Sequence, residues 1–153
     1  MATRKILTLG DESLRKVCKK QEKFDLRLAI LLKDLADTMY KAEGVGLAAP
    51  QVGILRRVVV VDVSEDQDEL LELINPEILE TSGSQIDDEG CLSLPGKYAP
   101  VERPNYAKVK YMDRNGDEYI IEGEALMARA LCHEIDHLDG ILYIDKALPV
   151  EEA

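Results

Sequence analysis

Long apolar runs are missing from this 153-residue chain. None approaches the ~20 residues needed to cross a bilayer as a helix, so no membrane association is expected. Positive charge is also scarce: 19 Lys and Arg face 30 Asp and Glu, for a formal charge of −11. Such a surface repels phosphate backbones and anionic lipid, which argues against a nucleic-acid partner. The small basic cluster Lys19, Lys20 and Lys23 is interleaved with acids and reads as solvated surface. Cysteine is limited to Cys18, Cys91 and Cys132, an odd number at unrelated spacings, which is not a disulfide framework. The start, Met-Ala-Thr-Arg-Lys, meets Gly10-Asp11-Glu12 too soon for a secretory signal. A cytoplasmic protein with reduced thiols is expected. Repeats, low-complexity tracts and linkers are absent as well, so residues 1–153 are expected to form a single catalytic domain.

What is present is a mixture of helical and strand patterns. Asp25 to Glu43 has helical apolar spacing, with Asp25 as N-cap and Gly44 as the left-handed stop. Arg57 to Val63 contains four consecutive valines, as a strand buried on both faces would. Ser64–Glu69 reads as a loop, Leu70–Leu79 as a strand broken at Asn75-Pro76, and Thr81–Gly90 as loop again. Lys108–Tyr111 and Tyr119–Glu122 pair through a hairpin turn at Asn115-Gly116. Glu124–Leu138 is the second long helix, closed by Asp139-Gly140. The expected class is α+β, with mostly antiparallel strands packed around a central helix.

Both histidines of the chain lie on that helix, in His133-Glu134-Ile135-Asp136-His137. Residues four apart share a helix face, so both imidazoles can reach one divalent metal. Glu134 projects about 100° away, beside the metal, as suits a general base. Burying two imidazoles and a carboxylate costs several kcal/mol unless they are paired or metal-bound. A catalytic site of this kind wants a third protein ligand. Only 16 residues follow His137, too few for a thermolysin-like glutamate, and Tyr143 stands where a metzincin needs histidine. Cys91, in Glu89-Gly90-Cys91-Leu92-Ser93, is the remaining candidate, with Gly90 permitting close backbone approach. A buried cysteine is also commonly a plain small hydrophobe. Cys132 points away from the histidine face and Cys18 has no partners.

Together Gly44-Val45-Gly46-Leu47-Ala48-Ala49-Pro50-Gln51, Glu89-Gly90-Cys91-Leu92-Ser93 and His133-Glu134-Ile135-Asp136-His137 resemble the peptide deformylase family in content, order and spacing. Leu14-Arg15 resembles its N-terminal signature, and the likeness spans nearly the whole chain. The resemblance implies a metal-dependent hydrolase that removes the formyl group from N-terminal formylmethionine of new polypeptides, releasing formate. It implies Cys91, His133 and His137 as ligands of one divalent metal, with Fe2+ preferred and Zn2+, Ni2+ or Co2+ able to substitute. It further implies Glu134 as general base and acid, with the Gln51 amide and the Leu92 N–H stabilising the oxyanion. Val45 and Leu126 would line the methionine pocket, and Gly46 and Gly90 would let substrate backbone lie close. Asp136 would stand behind the ligands, paired with Arg103. Some members carry a long basic C-terminal helix that docks on the ribosome. This chain ends Leu148-Pro149-Val150-Glu151-Glu152-Ala153, short and acidic, so docking through the tail is not expected.

Three other readings are weaker. A metallopeptidase is disfavoured by the Cys91 segment. A binder of formylated peptides without turnover has no need of Glu134, and a structural zinc domain would want a fourth protein ligand.

Overall fold

The four valines decide the architecture. In the computed structural model, which describes residues 3–149, they form strand β2 (Val58–Val61), buried along its whole length. Val58 and Val60 pack with Leu28, Leu32, Leu35 and Met39 of helix α1 (Leu26–Lys41). Val59 and Val61 face the other way, onto Leu131, Ile135 and Leu138 of helix α2 (Leu126–Leu138). One strand thus carries two cores, and each fully buried valine contributes roughly 1.5–3 kcal/mol.

Around β2 runs an antiparallel five-stranded sheet. Its order is β1 (Gly46–Ala48), β2, β3 (Leu71–Ser82), β6 (Tyr106–Met112), β7 (Glu118–Glu124). A separate antiparallel hairpin, β4 (Gln85–Cys91) with β5 (Leu94–Arg103), completes the α+β fold. No helix among the described residues is long and apolar enough to cross a membrane. The tail residues Val150–Ala153 lie outside the described residues.

Several expectations need correction. Asp25 does cap α1, accepting from the Leu28 N–H at 3.2 Å. The left-handed residue after α1, however, is Glu43 (φ 59) rather than Gly44. Gly44 instead packs against Leu92: a Cβ there would lie 2.7 Å from Leu92 Cδ1 and the leucine side chain would have to shift. Strand β3 runs through Asn75-Pro76 instead of breaking. Its register shifts between Ile74 and Glu77, and Asn75 adopts φ 51. The Asn75 side chain accepts from the Gln21 N–H (2.8 Å) and donates to its carbonyl (2.9 Å), which holds the bulge. Residues 81–90 are mostly strand, spanning the end of β3 and most of β4. Helix α2 begins at Leu126, because Glu124 ends β7 and Ala125 turns the chain at φ 54.

Gly140 closes α2 at φ +74, and a Cβ there would sit 2.6 Å from the Arg15 carbonyl oxygen. Gly140→Ala should therefore lower unfolding stability by roughly 1–3 kcal/mol, read as the shift of a urea transition. An unchanged midpoint would contradict the strain and the contact.

Candidate active site

Three elements converge on one cleft. The turn after β1 supplies Gln51, the β4–β5 hairpin supplies Glu89 to Leu92, and α2 supplies Arg129, His133, Glu134, Asp136 and His137. The cleft has a volume of about 460 Å³, and Val45, Gly46, Gln51, Gly90, Cys91, Leu92, Leu126, His133 and Glu134 line it. Val45 and Leu126 are 43% and 49% exposed, so they form walls open to an incoming apolar side chain. His137, Arg103 and Asp136 do not line the cleft but stand behind it.

The donor atoms of Cys91, His133 and His137 all lie within 4.8 Å of one another. His133 Nε2 is 3.2 Å from His137 Nε2, and Cys91 Sγ is 3.3 Å from His137 Nε2. Donors about 2.0–2.3 Å from a shared tetrahedral centre stand about 3.3–3.7 Å apart, so this set fits a metal ion. Burial, the largest influence, depresses His133, but Glu134, Cys91 and Glu89 outweigh it and leave the imidazole raised to about 10. The pocket thus favours positive charge at that point. Burial, aided by His133, holds His137 well below its ordinary value, so it stays neutral and able to ligate.

Glu134 is fully enclosed, and burial pushes its carboxyl up to about 7. Its Oε2 is 4.0 Å from His133 Nε2, while Oε1 is buried with no protein partner. A Cβ at residue 46 would lie 2.5 Å from Glu134 Oε2, so only glycine leaves room for this carboxylate. The Gln51 amide is oriented from both ends. Its Oε1 accepts from the Ala48 N–H at 2.9 Å, leaving Nε2 directed at Ser93 Oγ (3.1 Å) and Cys91 Sγ (3.5 Å).

Behind the donors lies a buried charge network. Glu89 Oε2 meets His133 Nδ1 at 2.7 Å and accepts from Arg103 Nη2 at 2.6 Å. Its Oε1 accepts from Arg103 Nε (3.1 Å) and Arg129 Nη1 (2.7 Å). Burial works against this carboxylate, yet its bonds to His133 and Arg103 hold it well below the usual carboxylate range. The expected Asp136–Arg103 contact is present at 2.7 Å, and Lys146 joins Asp136 at 2.9 Å.

The residues singled out from the sequence are therefore brought together, while Glu89, Arg129 and Ser93 were not foreseen. Two signals for them existed. Glu89 stands two residues before Cys91 on a strand, hence on the same face, and Arg129 stands four before His133 on a helix.

Comparison with known proteins agrees with this geometry. A family model described as polypeptide deformylase matches residues 3–153. The chain is 57% identical over 146 residues to a peptide deformylase of Clostridium botulinum, covering 95% of this chain and 97% of that protein. It is 58% identical to peptide deformylase 1 of Clostridium acetobutylicum, covering 95% of each. Among solved structures, a Legionella pneumophila peptide deformylase superposes with a TM-score of 0.93 at 49% identity, over 97% of this chain and 88% of that one. A Synechococcus elongatus peptide deformylase in complex with actinonin superposes at 0.91 with 40% identity, over 95% and 79%. With its donor set, its enclosed carboxylate and its nearly full-length likeness to these proteins, the chain belongs to the polypeptide deformylase family.

Proposed function

We propose that Cys91 Sγ, His133 Nε2 and His137 Nε2 hold one divalent metal, and that Glu134 and Gln51 work beside it. The reaction is that of the family: hydrolysis of the N-formyl group from the formylmethionine that begins a new polypeptide, releasing formate. The observation that carries the assignment of roles is the convergence of three donors within 4.8 Å beside a buried, half-unpaired Glu134 carboxylate. When bound, the metal supplies Lewis acidity toward water and toward the formyl oxygen. Ferrous iron is the proposed native ion, with zinc, nickel or cobalt able to take the same thiolate and imidazole donors.

The rest is done by the chain. Glu134 takes a proton from the attacking water and delivers it to the departing amine nitrogen. Its enclosed carboxyl, raised by burial, is suited to holding that proton between the two steps. As the formyl carbon becomes tetrahedral, its oxygen gains negative charge. The Gln51 Nε2–H that now faces Cys91 Sγ and the Leu92 backbone N–H donate to it, while Ala48 and Ser93 keep the Gln51 amide in place. Methionine sits against Val45 and Leu126, and the peptide passes along a cleft wall that includes Gly46 and Gly90, where the room of a Cβ is taken by Glu134 and Tyr98 rather than left open. Arg103 and Asp136 brace the ligand helix from behind.

Formate release from formyl-Met-Ala-Ser by the oxygen-free, iron-loaded protein tests the reading. Glu134→Gln should lower kcat by about 10²–10⁴ while retaining one metal per chain. Wild type that binds metal but releases no formate would overturn it. Gln51→Leu should cost about 10²–10³ in kcat, through loss of one oxyanion donor. A change confined to KM would show that Gln51 only binds substrate.

A further inference from the structure

One wall of the cleft is an irregular piece of the hairpin. Pairing runs regularly from Gln85↔Arg103 to Glu89↔Ala99 and resumes at Cys91↔Leu94. Pro95, Gly96, Lys97 and Tyr98 therefore stand opposite Gly90 alone, and all four line the cleft. Gly96 sits at φ +75, and Tyr98 is 72% exposed. The Tyr98 ring lies over Gly90, where a Cβ would come within 2.6 Å of it. With little ladder pairing of its own, such a bulge needs support from elsewhere if its position is to be defined.

That support comes from the C-terminal strap. Beyond Gly140 the chain passes behind the hairpin, where Ala147 bridges Val101 and the Leu148 N–H donates to the Pro100 carbonyl at 2.8 Å. Arg15 and Asp145 pin the strap's other side with two hydrogen bonds. Two residues before Asp145 stands Tyr143, almost fully buried among Leu14, Leu94, Val101 and Leu142. Its hydroxyl donates to the Lys97 carbonyl at 3.1 Å, inside the bulge. Its ring centroid is 6.3 Å from that of His133, with the planes 21° apart.

We infer that Tyr143 is a positioning residue, whose hydroxyl holds the Pro95–Tyr98 bulge as a preformed wall for the part of the substrate beyond the formylmethionine. The inference rests on the reaction proposed above and adds a determinant of substrate reach to it. The bulge carries none of the groups assigned to the chemistry and projects Tyr98 into solvent. It thus meets a substrate where the peptide leaves the cleft, offering an aromatic face there. A wall held in place before binding spares the substrate the cost of ordering it. This contribution is equal in ground state and transition state, so it falls on KM rather than kcat.

The test compares formyl-methioninamide, which has no residue to reach the wall, with formyl-Met-Ala-Ser. Tyr143→Phe removes only the hydroxyl and keeps the buried ring. The ratio of tripeptide KM to amide KM should rise about 3- to 10-fold, the worth of one hydrogen bond. Tripeptide kcat should stay within about twofold, and bound metal per chain should match wild type. Tyr98→Ala, an exposed change that leaves the fold intact, should raise the same ratio, and Tyr98→Phe should restore it. An unchanged ratio in Tyr143→Phe, or an equal loss on both substrates with lowered metal content, overturns the inference. Failure of wild type on both substrates would instead strike the reaction itself.

Discussion

The Glu89 carboxylate is the interaction on which the rest of the site depends. It lies between hairpin and helix, and three cationic or proton-bearing side chains, Arg103, Arg129 and His133, close on its two oxygens. An isolated carboxylate so enclosed would carry a desolvation penalty of at least several kcal/mol. Here each oxygen is met by a donor, and Asp136 and the Val101 carbonyl take remaining guanidinium hydrogens. Removing one member of such a set leaves a buried charge uncompensated, which is far costlier than losing a surface pair. Because Glu89 is depressed below its ordinary value near 4.5, its stabilising effect is complete above that value. It is lost progressively as the pH falls below that value, and is gone once the pH has passed through the lower, folded one.

That single group also performs the site's alignment. Bonding at Nδ1 fixes which His133 nitrogen faces the cleft, and so turns Nε2 toward His137 Nε2, 3.2 Å away. The strand that carries Glu89 carries Cys91 two residues on, so the bond that orients His133 also brings Cys91 Sγ to the histidines. The third component, Gln51, comes from the turn after β1 and is held by Ala48 on its own segment and by Ser93 of the hairpin turn. Glycine enters where backbone and side chain would otherwise collide, at Gly46 under Glu134 and at Gly44 under Leu92.

Much of this was legible in the residues themselves. Two histidines four apart on an apolar helix face, with a glutamate between them, have few stable alternatives to a metal. The two-faced burial of Val58–Val61 followed from their unbroken apolar run. The hairpin was not legible, because residues 81–90 are polar and acidic and lack the apolar alternation that marks a half-buried strand. Its order comes from tertiary pairing with β5 and from the bonds of Glu89 to Arg103, Arg129 and His133, partners 14, 40 and 44 positions away. The continuity of β3 was not legible either, because Asn75-Pro76 is a turn signal in isolation; the Gln21 contacts that convert it to a bulge lie 54 positions away. Arg129 reads as an ordinary surface charge on a helix until Glu89 supplies its partner.

The most direct measurement is the metal affinity and stability of Glu89→Gln, an isosteric change that removes the charge at the centre of the network. Competition with a chromophoric chelator for cobalt or zinc should show affinity falling about 10- to 100-fold. The urea transition should show a loss of roughly 3–5 kcal/mol. Wild-type affinity together with a wild-type transition would contradict the account, placing the alignment of Cys91, His133 and His137 elsewhere in the fold.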